Sequence, residues 1–293
     1  MDNLRGIFLM TASMALFAIE DMFIKTVSKD LPIGQILALL GAGGFMVFAA
    51  IAAYRRQPLW TRTLLSRKVI LRNGGELLGT GCFVYAFVFG DLYTATAIFQ
   101  TLPLVITIGA ALFMGAAVGW RRWTAISVGF AGVMMIIRPG FEGFDPISAI
   151  ALIAVLGFAV RDLTTRVLPP SVTSLQLSAY GFGAVGVLGG LMMVLWEAPA
   201  EVSALNWVYL GLAIVVGTGG YYFIVMAMRV GEIAVVTPFR YSRLVFALIV
   251  SVTVFDEVPD QWSLLGAAII IASGLYTLWR EQRTFSSRAR LAA

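Results

Sequence analysis

The sequence predicts an all-α integral membrane protein of ten transmembrane helices, and three observations lead to that expectation. Hydrophobic residues make up 59% of the chain and charged ones 13%, with a mean hydropathy of +0.88. A soluble domain holds about 45–50% apolar and about 25% charged residues, so this chain has too few charges to clothe a water-facing surface. Apolar runs of about 20 residues, the length that crosses a hydrocarbon core of about 30 Å, recur from one end to the other. Basic residues then gather in every second connection between those runs.

The expected spans are 4–26, 33–54, 69–89, 93–117, 122–138, 146–167, 173–195, 206–228, 234–255 and 261–279. The stretches 31–54, 92–120 and 261–279 contain no charged residue. The first run follows Arg5 but carries Glu20 and Asp21 where a signal peptide would show a small-residue cleavage pattern, so it is expected to remain as the first helix. With the N terminus in the cytoplasm, the inner connections and adjoining helix ends hold sixteen basic residues: Arg5, Arg55, Arg56, Arg62, Arg67, Lys68, Arg72, Arg121, Arg122, Arg161, Arg166, Arg229, Arg280, Arg283, Arg288 and Arg290. The outer ones hold only Lys25, Lys29 and Arg138, and collect Asp91, Glu142, Asp145, Glu197, Glu201, Asp256, Glu257 and Asp260. Cytoplasmic loops of membrane proteins are enriched in Lys and Arg, so this alternation supports ten spans with both termini inside. The net charge of +5 is then a topology signal in a lipid bilayer and not a nucleic-acid surface. Trp60, Trp120, Trp123, Trp207, Trp262 and Trp279 stand near span ends, where the amphipathic indole anchors at the interface.

Several chemistries are excluded by residue type. There is no histidine, which removes Ser-His-Asp triads, zinc-protease motifs and histidine relays. The single cysteine, Cys82, cannot form an internal disulfide. No GxxxxGK[ST] sequence is present, so this chain does not itself bind ATP by a P-loop.

Ten spans divide into five and five, and an odd number per half sets the halves in opposite orientations. Residues 1–140 and 141–280 are the expected halves, followed by a polar tail, 281–293, expected to be disordered. The fourth and fifth spans read TATAIFQTLPLVITIGAALFMG, a turn, then WTAISVGFAGVMMI; the ninth and tenth read VVTPFRYSRLVFALIVSVTVFDE, a turn, then LLGAAIIIASGLYTL. Each pair opens on a small/Thr cluster, carries a helix-breaking proline (Pro103, Pro238) and leads into a small-residue-rich span. Inverted repeats with a midplane site at their interface typify secondary transporters. Gly41, Gly43 and Gly44, Gly74 and Gly75, Gly129 and Gly132, Gly186, Gly189 and Gly190, and Gly217, Gly219 and Gly220 are expected to supply the close backbone approach by which helices associate in lipid.

On these residues the chain resembles the drug/metabolite transporter superfamily, and within it the EamA-type ten-helix carriers built as two inverted five-helix repeats. The stretch TPFRYSRLVFALIVSVTVFDEVPDQWSLLGAAIIIASG resembles the exporters of the YddG type, which move amino acids, aromatic ones among them, out of bacteria. The resemblance implies a secondary transporter of the bacterial inner membrane that exports small organic metabolites, amino acids foremost, by alternating access. It implies no enzyme activity, no cofactor or metal and no obligate protein partner. A glycine–glutamate pair often follows the fourth span in this family; here Gly115 and Ala116 stand instead, while the second half keeps Asp256 and Glu257.

The candidate site rests on polar groups in the wrong solvent. A charge at a lipid-facing helix centre costs at least about 2.5–3.5 kcal/mol, so Glu20, Asp21, Glu76, Arg240 and Arg243 are expected to face protein or water. Arg240 and Arg243 lie three apart on the ninth span, Arg243 roughly 13 Å from its inner end at 1.5 Å per residue. A buried guanidinium needs an anion, either a substrate carboxylate or Glu76 on the third span. Asp21 and Lys25 are expected to form a solvated i,i+4 pair. Glu20 shares a face with Ser13 and Phe17 and looks either into the pathway or into an outer vestibule. Gln100 either bonds a substrate or bridges two helices, beside a carbonyl freed by Pro103. Tyr85, Phe99, Tyr221, Tyr222 and Tyr241, with Pro238 beside the arginines, complete the candidate substrate-binding set. A flippase for lipid-linked substrates, a channel and an intramembrane enzyme are the competing readings; the last needs a nucleophile with a base, or paired carboxylates.

Overall fold

The computed structural model describes residues 2–115, 119–138, 146–169, 171–230 and 236–291, and among them every regular element is helical. In chain order they are α1 (Asp2–Val27), α2 (Ile33–Tyr54), α3 (Arg67–Phe89), α4 (Leu92–Met114), α5 (Trp120–Ile137), α6 (Pro146–Arg166), α7 (Ser174–Leu195), α8 (Ala204–Val230), α9 (Ser242–Val254) and α10 (Gln261–Leu291). Helices α1, α2, α4, α6, α7 and α8 are long and apolar enough to cross a membrane, and shorter apolar stretches lie at Trp123–Ile137 and Gln261–Thr277. Helix α3 falls outside that set because Arg67, Lys68, Arg72 and Glu76 crowd its first three turns. The tail departs from expectation. No glycine or proline follows Gly274, and α10 continues through Leu291. The expected boundary at 140 and 141, together with Ala116, Glu142 and Asp145, lies outside the described residues.

Four helix pairs pack most closely, α1 on α8, α2 on α7, α3 on α6 and α5 on α10, while α4 lies against α6 and α9, and α9 against α1 and α4. Replacing each helix by the one five places along returns the same four pairs, keeps α4 on α9, and exchanges the α4–α6 contact with the α9–α1 contact. Three of the crossings bring glycine to glycine. A Cβ on Gly41 would meet the backbone of Gly186 and lie 2.7 Å from the Phe182 carbonyl oxygen. One on Gly75 would lie 2.7 Å from the Gly157 oxygen, and one on Gly132 2.7 Å from the Gly266 oxygen. Lipid tails are as apolar as leucine, so such backbone approach, and not apolar burial, holds these helices together.

Two helices are broken, and the breaks meet. Helix α4 runs as Leu92–Phe99 and Leu102–Met114, because Pro103 has no N–H to offer the Phe99 carbonyl. Hydroxyls reinforce the flanking turns: Thr101 Oγ1 donates to the Ile98 carbonyl at 2.7 Å and Thr107 Oγ1 to that of Pro103 at 2.9 Å. Pro238 likewise opens a 3-10 turn, Thr237–Tyr241, ahead of α9. Gln100 Nε2, at the first break, donates to the backbone carbonyl of Arg240, at the second, at 3.3 Å.

One end of the bundle is tied shut. Lys25 Nζ donates to Glu257 and, at 2.7 Å, to the Gly90 carbonyl, while the Leu92 N–H donates to Glu257 Oε2 at 3.2 Å. Glu197 accepts from the Gly34 N–H at 2.7 Å, and Gln35 makes two 2.8 Å bonds with Ala200. Asn206 Nδ2 donates to Asp30 at 2.9 Å, and Arg138 pairs with Asp260. Buried Val27, Ile33, Ile36, Phe87 and Leu92 fill the space beneath.

Candidate functional site

A cavity of about 420 Å³ is walled by α1, α2, α3, the two breaks, α6, α7 and α8. At one end it stops at the buried side chains of Ile24 and Leu37. At the other it reaches the surface, since exposed Thr165 and Ser174 line it. Helix α7 starts cleanly there through a capping box of Thr173 and Gln176, which satisfies amide groups that would otherwise be orphaned at the rim.

Most of the wall is apolar, with Phe17, Phe83, Phe99 and Phe158 prominent, yet four guanidinium groups and four carboxylates also line it. They sort into two networks. In the first, Glu76 sits between Arg72 at 2.8 Å and Arg161 at 3.1 Å, and Arg161 Nε also donates to Asp162 at 2.8 Å. Gly181 leaves room for that cluster, since a Cβ there would lie 2.8 Å from Arg72 Nη1. In the second, Arg243 Nη2 donates to Asp21 Oδ2 at 2.6 Å. Its guanidinium also stands 5.2–5.5 Å from the ring centres of Phe17, Phe83 and Phe99. Three negative ring faces and one carboxylate hold that cation away from lipid.

Two charges are left over. Among the described residues, Arg240 makes no ion pair and no side-chain hydrogen bond; only its backbone carbonyl is engaged, by Gln100. Glu20 likewise has no hydrogen-bonding or ion-pair partner among the described residues, and its carboxylate rests against Gly217 on α8.

Of the residues singled out from sequence, Glu76, Phe99, Gln100, Tyr221, Arg240 and Arg243 line the cavity. Pro103 and Pro238 stand at the breaks behind it and shape the backbone that presents Gln100 and Arg240. Tyr241 is buried against Gly274, away from the cavity, and its hydroxyl has no partner among the described residues. Tyr85 and Tyr222 face outward, 40% and 55% exposed, and do not line it. Two expected pairings are replaced. Asp21 bonds Arg243 and not Lys25, because each of the two buried side chains finds an opposite charge on another helix or loop. Glu76 bonds Arg72 and Arg161, which are nearer than Arg240 or Arg243. Arg161 and Asp162 escaped notice because they lie within two turns of the end of α6, where charge reads as loop; the signal for Arg72 was its i,i+4 spacing to Glu76.

The EamA-like transporter family profile matches the chain twice, over residues 4–138 and 146–279. The S-adenosylmethionine uptake transporter of Rickettsia prowazekii is 25% identical over 223 residues, 75% of this chain and 74% of its own. The riboflavin transporter of Rhizobium johnstonii is 26% identical over 245 residues, 82% of this chain and 76% of its own. Solute carrier family 35 member G1 of Homo sapiens is 24% identical over 92% of this chain and 78% of its own. None of these three relatives bears the name of an aromatic amino-acid exporter, so the resemblance to such exporters gives way to a broader one. A solved crystal structure superposes with a TM-score of 0.60 over 94% of this chain and 98% of that one, at 17% identity, which shows a common fold. The chain is a multi-pass membrane protein that belongs to the EamA-like transporter family, whose members are transporters of small metabolites and not enzymes.

Proposed function

We propose that this chain is a secondary carrier of the bacterial inner membrane that moves amino acids, and metabolites carrying an amino-acid head group, by alternating access. In this reading residues 1–140 and 141–280 form two oppositely oriented five-helix halves with both termini cytoplasmic. The pairing scheme that survives exchange of the halves supports it. With the basic loops inside, the cavity opens to the cytoplasm and the Lys25–Glu257 end is the closed outer gate.

The observation that carries the proposal is Arg240, a guanidinium with no ion pair among the described residues, on a broken helix in a cavity between the halves. Its missing counterion is the carboxylate of the substrate. The phenylalanines opposite suit an aromatic side chain or, equally, the adenine of S-adenosylmethionine, which also carries an amino-acid head. A reversible carrier runs either way down its gradients, so export of amino acids and uptake of S-adenosylmethionine are both within one cycle. A neutral ring system such as riboflavin is the second reading, favoured by the relative of that name. Counterflow in proteoliposomes, with labelled tryptophan, leucine, S-adenosylmethionine and riboflavin, decides between them. Protein-dependent flux of the first three that falls at least about tenfold in Arg240→Gln supports the proposal, and flux of riboflavin alone overturns it.

A further inference from the structure

The carrier reading uses Arg240 and leaves Glu20 unexplained. Of the eight ionisable groups around the cavity, six hold one another: Arg72, Glu76, Arg161 and Asp162 in one cluster, Asp21 and Arg243 in the other. Among the described residues, Glu20 is the acid that forms no ion pair. Its neighbour in sequence, Asp21, has taken Arg243, and the carboxylate rests against the backbone of Gly217 on α8, where a Cβ would overlap it. That glycine makes a niche for a carboxylate and supplies nothing to neutralise it.

We propose that Glu20 is the cation subsite for the transported solute, the complement of Arg240. Resting on the carrier reading above, it assigns the group that recognises the solute's positive centre, an ammonium or a sulfonium, while Arg240 takes the carboxylate. The internal Asp21–Arg243 pair lies beside both poles, since Asp21 adjoins Glu20 and Arg243 lies one turn beyond Arg240. A dipolar solute laid along this wall sets its carboxylate at Arg240 and its cation at Glu20. All ten charges then have an opposite partner. A monoanion leaves Glu20 unmatched in the cavity, an amine leaves Arg240 so, and a neutral ring leaves both.

The test uses the full-length protein and tryptophan with two analogues: tryptamine, which lacks the carboxylate, and indole-3-propionate, which lacks the amine. S-adenosylmethionine and riboflavin complete the panel. Flux in proteoliposomes and ligand-induced thermal stabilisation in detergent are both read for the native protein, Glu20→Gln and Glu20→Asp. The native protein is expected to prefer tryptophan or S-adenosylmethionine over either one-charge analogue by at least about tenfold. Glu20→Gln should lose about that factor for the dipolar solutes while indole-3-propionate competes no worse than before, and Glu20→Asp should fall between. Unchanged affinity and selectivity in Glu20→Gln overturn the inference and leave the carrier reading intact, as does flux of riboflavin or of indole-3-propionate equal to that of tryptophan. Neither flux nor stabilisation by any compound in the native protein overturns both together.

Discussion

Replacing Asp21 by asparagine removes the carboxylate bonded to Arg243 and leaves the side chain's shape almost unchanged. The two charged side chains are 7% and 12% accessible and meet at 2.6 Å, so this pair is a buried one. Removing one partner of a buried pair typically costs about 3–5 kcal/mol, because the remaining charge stays desolvated. Here two features hold the loss to the lower end. Three phenylalanine rings still face the guanidinium, each worth about 0.5–2 kcal/mol, and Glu20 stands one residue away as a substitute anion. The expected loss for Asp21→Asn is therefore about 3 kcal/mol. Arg243→Met in the same chain removes the stranded cation and should restore stability to within about 1 kcal/mol of the native protein. Reversible unfolding in mixed detergent micelles measures all four corners of this cycle. A single-variant loss below about 0.5 kcal/mol, the range of an exposed ion pair, would refute the reasoning, as would a double variant no better than the single.

Three further outcomes follow from the packing. Gly41→Leu places a side chain into the backbone of Gly186 and should cost at least about 1–3 kcal/mol, with loss of folded protein on detergent extraction as the readout. Glu76→Gln strips the shared anion from Arg72 and Arg161; unfolding should show a loss of about 3 kcal/mol or more, relieved by adding Arg72→Met. Tyr85→Leu and Tyr222→Leu change only outward-facing side chains, so flux should match the native rate and stability should move by less than about 0.5 kcal/mol.

The helical frame was legible because lipid imposes a period and a length that few other constraints imitate. Apolar runs bounded by charge place α1, α2, α4, α6, α7 and α8 close to their observed limits, and the prolines mark both breaks. The site was legible where a charge sat far from any span end: Glu76, Arg240 and Arg243 all face the cavity. It was obscure near span ends, where Arg161 and Asp162 look like loop residues and only the tertiary fold turns them inward. Pairing was the least legible feature. Spacing of i,i+4 joins Asp21 to Lys25 on paper, yet partners more than two hundred residues away take both side chains, Arg243 the first and Glu257 the second. Aromatic residues carry no directional signal at all, which is why Tyr85 and Tyr222 point to the outer surface while Phe17, Phe83 and Phe158, never singled out as pathway residues, line the cavity.

Alternate exposure of the central cavity is the claim on which the transport proposal stands, and the ties between Lys25 and Glu257 are where it can be stopped. In a Cys82→Ser background, Lys25→Cys and Glu257→Cys would be joined by a short reducible crosslinker and substrate counterflow followed before and after reduction. Flux should cease in the crosslinked protein, persist in the uncrosslinked double variant, and return when the link is cleaved. Undiminished flux through the fully crosslinked protein would contradict the account, since the closed end would then never need to open.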